Sequence, residues 1–328
     1  MRNYKIKFAL LAVGAGLLAS TGCQRYSKSE NYYLISNSLK INYWKSVDSG
    51  FEEAATAIGV TAQLRGPDNF DPAAEEAEFE KAVAANPAGI LISVSDAALM
   101  TPEINKAIAA GIPVITVDSD APGSNRLMFV GTNNLEAGRL GGERLVYKLN
   151  GKGNVVFFSN PGQPNLDERL KGYKDVLASH PDIKIVEVFN IKGDSGSAFD
   201  EAQRLAALTG KDKIDAFVSL ESTSGKDFTD VLRRANATDR TVIAMDVNPE
   251  TLNLVNLGDI DSTISQRPYT MGYVGLRMLA SIHHSLPKQF ATDYGSDPHS
   301  PYPVFLDTGT ALVDKTNVDR FVKAIGAS

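Results

Sequence analysis

The chain has 328 residues, 43% hydrophobic and 22% charged, with a formal net charge of −6. That is ordinary globular composition, long enough for one large domain or two of medium size. The acidic balance argues against a nucleic-acid partner held by a basic surface, and a single cysteine excludes an intrachain disulfide.

The first 22 residues read as an export signal. Arg2, Lys5 and Lys7 form a basic start, and residues 8–18 form an apolar run too short to span a membrane. Small residues at 19–22 then lead to Cys23. This order resembles the lipobox of bacterial lipoproteins, although Ser20 stands where that motif usually has leucine. The resemblance implies cleavage before Cys23, a lipid on its thiol, and an exported protein in the periplasm or at the outer face of the cell membrane. The lipid is then the only expected membrane contact. Cleavage removes three basic and no acidic residues, so the mature chain is more acidic still. Residues 14–19 fit a dinucleotide fingerprint by letters, but no strand precedes them and no βαβ unit surrounds them, so the match is rejected. Residues 23–31 are polar and read as a flexible tether.

From residue 32 the pattern alternates strand and helix. A strand at 32–36 leads to a helix at 43–58, with Val47, Phe51, Ala54, Ala55 and Ile58 on its apolar face. A strand at 60–64 follows, then a helix at 72–85. Its Glu75, Glu76, Glu78 and Glu80 read as a solvated face. The run 89–94 is a buried strand. Thr101-Pro102-Glu103 reads as the next helix start and Gly111 as its end. Strands at 112–117 and 127–130 complete a first set of five. A helix at 135–149 opens a second set, with strands at 154–158, 183–189, 214–220, 241–245 and 262–265. Helices fall between them near 166–179, 198–208, 223–235 and 249–256. A helix at 268–282 follows. The segment 285–303, with four prolines, reads as irregular linker. A short closing strand at 310–313 and a helix at 317–325 end the chain.

This alternation predicts an α/β fold. Ten strands in one sheet are improbable, so the expectation is two Rossmann-like lobes, each a mainly parallel sheet flanked by helices, joined by a multi-strand hinge around a ligand cleft. Lobe 1 is expected at 32–132 plus about 267–305, and lobe 2 at 133–266 plus about 306–328. The cleft lies beyond the carboxyl ends of the strands, where Asp118 ends a buried strand.

Several short stretches together carry a resemblance: Tyr43-Trp44 leading into Asp48-Ser49-Gly50, residues 113–118, Thr132-Asn133-Asn134, Glu168-Arg169 with Gly172-Tyr173, Ala244-Met245-Asp246, and Ser265-Gln266. In this order and spacing, residues 32–326 resemble bacterial periplasmic sugar-binding proteins of the ribose-binding type, the receptors of ABC transporters. The resemblance implies a type 1 periplasmic-binding-protein fold, a small sugar ligand, a membrane permease as partner, no cofactor, and a monomer that closes about its ligand. It implies that Tyr43 and Trp44 stack on the sugar, and that Asp118, Asn134, Arg169, Asp246 and Gln266 bond its hydroxyls. Asn37 is a further candidate.

Ser119 stands where the ribose receptors have a second arginine, Glu221 where they have asparagine, and Ile41 where they have another asparagine. Both Ser119 and Glu221 are kept as candidates, and ribose itself is not expected. Carboxylates at 118, 221 and 246 around Arg169 disfavour an anionic ligand, so a neutral monosaccharide or polyol is expected.

Other functions fit less well. The chain has no Walker A loop, no G-x-S-x-G elbow and no H-E-x-x-H, so no enzyme is expected. The adjacent His283 and His284 point to opposite sides of a helix, and His180 and His299 lie elsewhere, so no metal cluster is expected. A sugar-responsive repressor needs a DNA-reading head where this chain has an export signal. A receptor presenting its ligand to a chemotaxis or histidine-kinase partner needs the same cleft, and remains the alternative.

Overall fold

A computed structural model describes residues 25–285 and 297–325, so the export signal and Cys23 lie outside the described residues. The first half runs β1 (Asn31–Ile35), α1 (Tyr43–Ile58), β2 (Thr61–Arg65), α2 (Pro72–Ala84), β3 (Gly89–Ile92), α3 (Ala97–Ala109), β4 (Val114–Val117) and β5 (Phe129–Gly131). The second runs α4 (Asn134–Leu149), β6 (Gly153–Ser159), α5 (Pro164–Leu177), β7 (Ile183–Asn190), α6 (Ser195–Ala206), β8 (Ala216–Ser219), α7 (Ser224–Arg234), β9 (Thr241–Met245), α8 (Pro249–Leu257) and β10 (Ser262–Ser265). The chain ends with α9 (Pro268–His283), β11 (Phe305–Asp307), β12 (Ala311–Asp314) and α10 (Val318–Ile325).

The strands form two six-stranded sheets, ordered β11-β5-β4-β3-β1-β2 and β12-β10-β9-β8-β6-β7. Only β12 runs antiparallel, against β10. The central strands β3, β4 and β8 are buried along their whole length, as helices on both faces of a parallel sheet require. The chain passes from one sheet to the other between β5 and α4, between β10 and α9, and between β11 and β12. These passages are tied together. Thr308 N–H donates to Gly131 O at 2.8 Å, Thr310 Oγ1 to Ser265 O at 2.8 Å, and Thr132 Oγ1 to Gln266 Oε1 at 2.8 Å.

Each sheet is flanked by one helix pair that crosses on glycines. A Cβ on Gly272 would lie 1.9 Å from Val47 O, and one on Gly50 2.0 Å from Tyr269 O, so α1 and α9 meet backbone to backbone. Gly138 and Gly172 do the same for α4 and α5, with 2.0 Å to Arg169 O and 2.2 Å to Leu135 O. Only glycine permits that approach, and the second crossing fixes where Arg169 sits.

Four local expectations need correction. Helix α3 starts at Ala97, not at Thr101, because the Asp96 carboxylate accepts from Ala98 N–H and Leu99 N–H and caps it earlier. Pro102 therefore lies inside the helix. Each sheet gains a sixth strand; that of the second, β12, is the expected closing strand, and that of the first was not foreseen. The sixth strand of the first, β11, has three residues and a half-exposed pattern that carries no alternation to read. Glu75 does not join a solvated face: it is fully buried and accepts the Ser95 N–H at 3.1 Å. Burial pushes its pKa up to about 8. Finally, His284 is the C-cap of α9, and the two imidazoles, expected on opposite sides of the helix, meet edge to face at 5.3 Å.

Candidate functional site

The loops beyond the carboxyl ends of the strands face each other between the sheets, and the predicted residues are built from them. Asp118 directly follows β4 and Asp246 directly follows β9, the third strand in each sheet order. Both adopt the left-handed backbone, with φ of 62° and 70°. In each case the N–H still donates to the next strand, Asp118 to Val130 O at 3.2 Å and Asp246 to Ile264 O at 2.8 Å. A non-glycine residue at positive φ costs energy and marks a place where side-chain direction matters.

Asp118 is 5% exposed and collects donors from both sides of the cleft. Tyr43 OH donates to its Oδ1 at 2.8 Å, and Ser93 Oγ reaches Oδ2 at 3.5 Å. From the opposite sheet, Asn165 Nδ2 donates to Oδ2 at 3.0 Å. Asn165 N–H also reaches the Ser119 hydroxyl at 3.5 Å. On the second sheet, Arg169 forks three ways: Nε to Asn134 Oδ1 at 2.9 Å, one terminal nitrogen to Leu220 O at 2.8 Å, and the other to Gln266 Oε1 at 3.0 Å. Gln266 Nε2 in turn donates to Asp246 Oδ1 at 2.9 Å. The structure thus gathers Tyr43, Asp118 and Ser119 into one hydrogen-bond cluster and Asn134, Arg169, Asp246 and Gln266 into a second.

Trp44 and Asn37 form a separate pair. The indole N–H donates to Asn37 Oδ1 at 2.9 Å, and the ring is 2% exposed within the core of the first sheet. Its link to the cluster is the edge-to-face contact with Tyr43, 5.4 Å between centroids. Glu221 turns back on its own loop: Ser219 Oγ donates to Oε1, and the N–H groups of Thr223 and Ser224 donate to its carboxylate at 2.5 and 3.0 Å. It caps the start of α7 and makes no hydrogen bond to Arg169 among the described residues.

Burial sets the electrostatics. Asp118 and Asp246 both have raised pKa values because desolvation outweighs the attraction of Arg169, and Asp246 is pushed up to about 6. Burial and the Asp118 charge push the Tyr43 phenol well above its usual range, so it stays a neutral donor.

The residue that sequence reading missed is Asn165. Its side chain is buried, and Oδ1 has no hydrogen-bond partner. The signal was available: it precedes Arg169 by four residues, so both occupy one face of α5. A cavity of about 360 Å³ opens at the outer end of the cleft, lined from one side by Phe70, Asp71 and Asp96 and from the other by Asn160, Gln163 and Lys192. Phe70 closes against Gly193 there, where a Cβ would lie 2.4 Å away. None of the predicted residues lines this mouth.

Buried planar amides, carboxylates and a guanidinium, contributed from both sheets, suit a ligand that both donates and accepts at several points. Comparison with known proteins agrees in kind. The ribose import binding protein RbsB of Escherichia coli is 23% identical over 275 residues, covering 82% of this chain and 90% of that one. A sugar-binding protein of a sugar ABC transporter from Bacillus halodurans is 34% identical with a TM-score of 0.77, over 89% of this chain and 100% of that one. A solute-binding protein from Burkholderia graminis, solved with D-arabinose, is 29% identical with a TM-score of 0.79, over 88% and 96%. Residues 32–283 match the model of the periplasmic binding protein domain. The chain belongs to the periplasmic binding protein family.

Proposed function

We propose that this protein is the extracytoplasmic binding component of an ABC transporter, holding one neutral monosaccharide or closely related polyol between its lobes and delivering it to a membrane permease. The observation that carries this reading is the cross-cleft bond from Asn165 to Asp118, because it ties a carboxylate of the first half to a side chain of the second half at one buried point. A sugar inserted there meets acceptors at Asp118 and Asp246 and the free Oδ1 of Asn165. It meets donors at Tyr43, Arg169 and Gln266. A site that pairs each hydroxyl rejects analogues lacking one, since its own buried groups are then left unpaired. Two carboxylates against the single guanidinium of the cluster favour a neutral ligand over an anion.

Tyr43 is the aromatic residue assigned to the ligand. Trp44 supports it from the core and holds Asn37. Glu221 shapes the loop rather than bonding the sugar. The lobes are 32–132 with the α9 segment, and 133–266 with the chain end, and they close about the three passages between sheets. Cys23 carries a lipid that keeps the exported protein beside its permease. The relatives' names support a binding protein rather than an enzyme.

A thermal-shift panel on residues 24–328, freed of co-purified ligand, tests the reading. Pentoses come first, followed by hexoses, deoxysugars, polyols and sugar acids. Ligand at ~100 times its dissociation constant stabilises by about 2.7 kcal/mol. One strong neutral hit, lost in Asp246→Ala, is the expected result. Silence across the neutral sugars overturns the proposal.

A further inference from the structure

Away from the cleft, the end of the tether lies against the end of α9. The Tyr26 ring meets the His284 ring edge to face at 4.8 Å, and Arg25 reaches Ser285 Oγ at 3.4 Å. Within this contact Glu30 Oε2 sits 2.9 Å from His284 Nε2. One ligand-type atom from each of Glu30, His283 and His284 falls within 4.8 Å of the others. The three come from chain segments some 250 residues apart, brought together where the C-cap residue of α9, His284, lies against the start of β1.

We propose that Glu30, His283 and His284 bind a divalent transition-metal ion of the zinc type. Two imidazoles and a carboxylate are the borderline nitrogen and oxygen donors that zinc prefers, and three protein ligands leave a fourth position for water. The geometry is near what the ion requires. Metal–ligand bonds of roughly 2.0–2.1 Å at tetrahedral angles place donor atoms about 3.3 Å apart. The Glu30–His284 pair needs to open only slightly to admit an ion, and His283 closes the remaining gap by side-chain rotation. The carboxylate is already oriented: Tyr32 OH donates to Oε2 at 3.1 Å and Ser27 N–H to Oε1 at 2.6 Å. Such outer partners fix a ligating group before the ion arrives. The His284 and Glu30 side chains keep 23% and 11% exposure, so solvent and ion can reach them. Bound there, the ion clamps the tether exit to α9, independently of any ligand in the cleft.

The test is isothermal titration of ZnCl₂, with MgCl₂ as control, into residues 24–328 without a histidine tag. This chain retains every described residue and contains no cysteine. One zinc per chain with a dissociation constant below about 10 μM is expected, together with a rise in Tm. Glu30→Gln, which keeps the shape, and His284→Ala should each weaken binding at least tenfold, while His180→Ala and His299→Ala should leave it unchanged. Should His284→Ala fail to fold, Glu30→Gln decides. No saturable binding up to 100 μM zinc, or binding that Glu30→Gln leaves intact, overturns the site.

Discussion

Replacing Asp246 by Asn should make the ligand-free protein more stable and the ligand-binding protein worse. Burial raises this carboxyl from its ordinary 3.8 to about 6, against the pull of Arg169 and the Gln266 bond. A group whose folded pKa lies above its unfolded one favours folding most when protonated. Its relative contribution is therefore fully present below pH 3.8 and lost as pH rises through about 6. The difference of about 2 pH units, at ~1.36 kcal/mol each, makes ionised Asp246 cost about 3 kcal/mol at pH 8. Asn keeps an oxygen for Gln266 and carries no charge. Asp246→Asn should therefore raise the unfolding free energy by about 1–3 kcal/mol at pH 8 and by almost nothing at pH 4. Asp118 is present in both proteins and largely cancels in the comparison. Losing a charged acceptor should also weaken sugar binding by roughly 10–100-fold, the worth of a hydrogen bond to an ionised group. Urea titrations at several pH values measure the first effect, and the fluorescence of Trp44, the one tryptophan, offers a readout of the second. A variant destabilised at pH 8 as much as at pH 4 would refute the reasoning, because the carboxylate would then be a structural anchor.

Three further outcomes follow from the same geometry. Glu75, raised from 4.5 to about 8, stays protonated in the folded protein at pH 7 but ionises in the unfolded chain, so Glu75→Gln should be close to neutral at pH 4 and increasingly stabilising from pH 5 to pH 8; equal stabilities at pH 8 would count against this. Gly172→Ala places a methyl 2.2 Å from Leu135 O, so α4 and α5 must part; a loss of about 1–3 kcal/mol by chemical denaturation is expected, with weaker sugar binding because Arg169 shifts. Asn165→Ala removes the cross-cleft donor to Asp118 and should weaken sugar binding at least ~10-fold while leaving thermal stability within about 1 kcal/mol, since the side chain already carries one unpaired acceptor; unchanged affinity in titration would remove Asn165 from the site.

The alternation of buried apolar runs with amphipathic stretches was enough to read the order of the helices and most strands, because strands covered on both faces have few polar residues. What escaped was decided by single polar contacts. Asp96 rather than Thr101 starts α3 because its carboxylate, not the proline, satisfies the first free N–H groups. Glu75 is acidic like its three neighbours, but it falls on the buried face of α2 with Phe79 and Ala82, where the Ser95 N–H meets it. At the site, position and partner separate in the same way. Asp118 was readable as a strand-end residue, while Arg169, Asp246 and Gln266 were named through the resemblance to sugar-binding proteins. The indole bond to Asn37 and the turn of Glu221 onto its own loop were not readable, because each depends on a loop conformation that leaves no period in the sequence.

The two aspartates tie these observations together. Each follows the third strand of its sheet, takes positive φ, and donates its N–H to the neighbouring strand just before the chain turns. That bond anchors the residue, so the left-handed twist must be absorbed by the side chain's direction, which swings into the space between the sheets. The same device used twice aims one carboxylate from each sheet at one buried volume. Beside Asp246, Gln266 lies on the passage between β10 and α9 and bonds Thr132 on the passage between β5 and α4. Under the proposed function, a ligand bonded to Asp246 would pull on Gln266, which lies on one crossing and is bonded to a second. Closure about such a ligand would then be coupled to the stiffness of those crossings, and substitutions at Gln266 should alter sugar affinity and stability together.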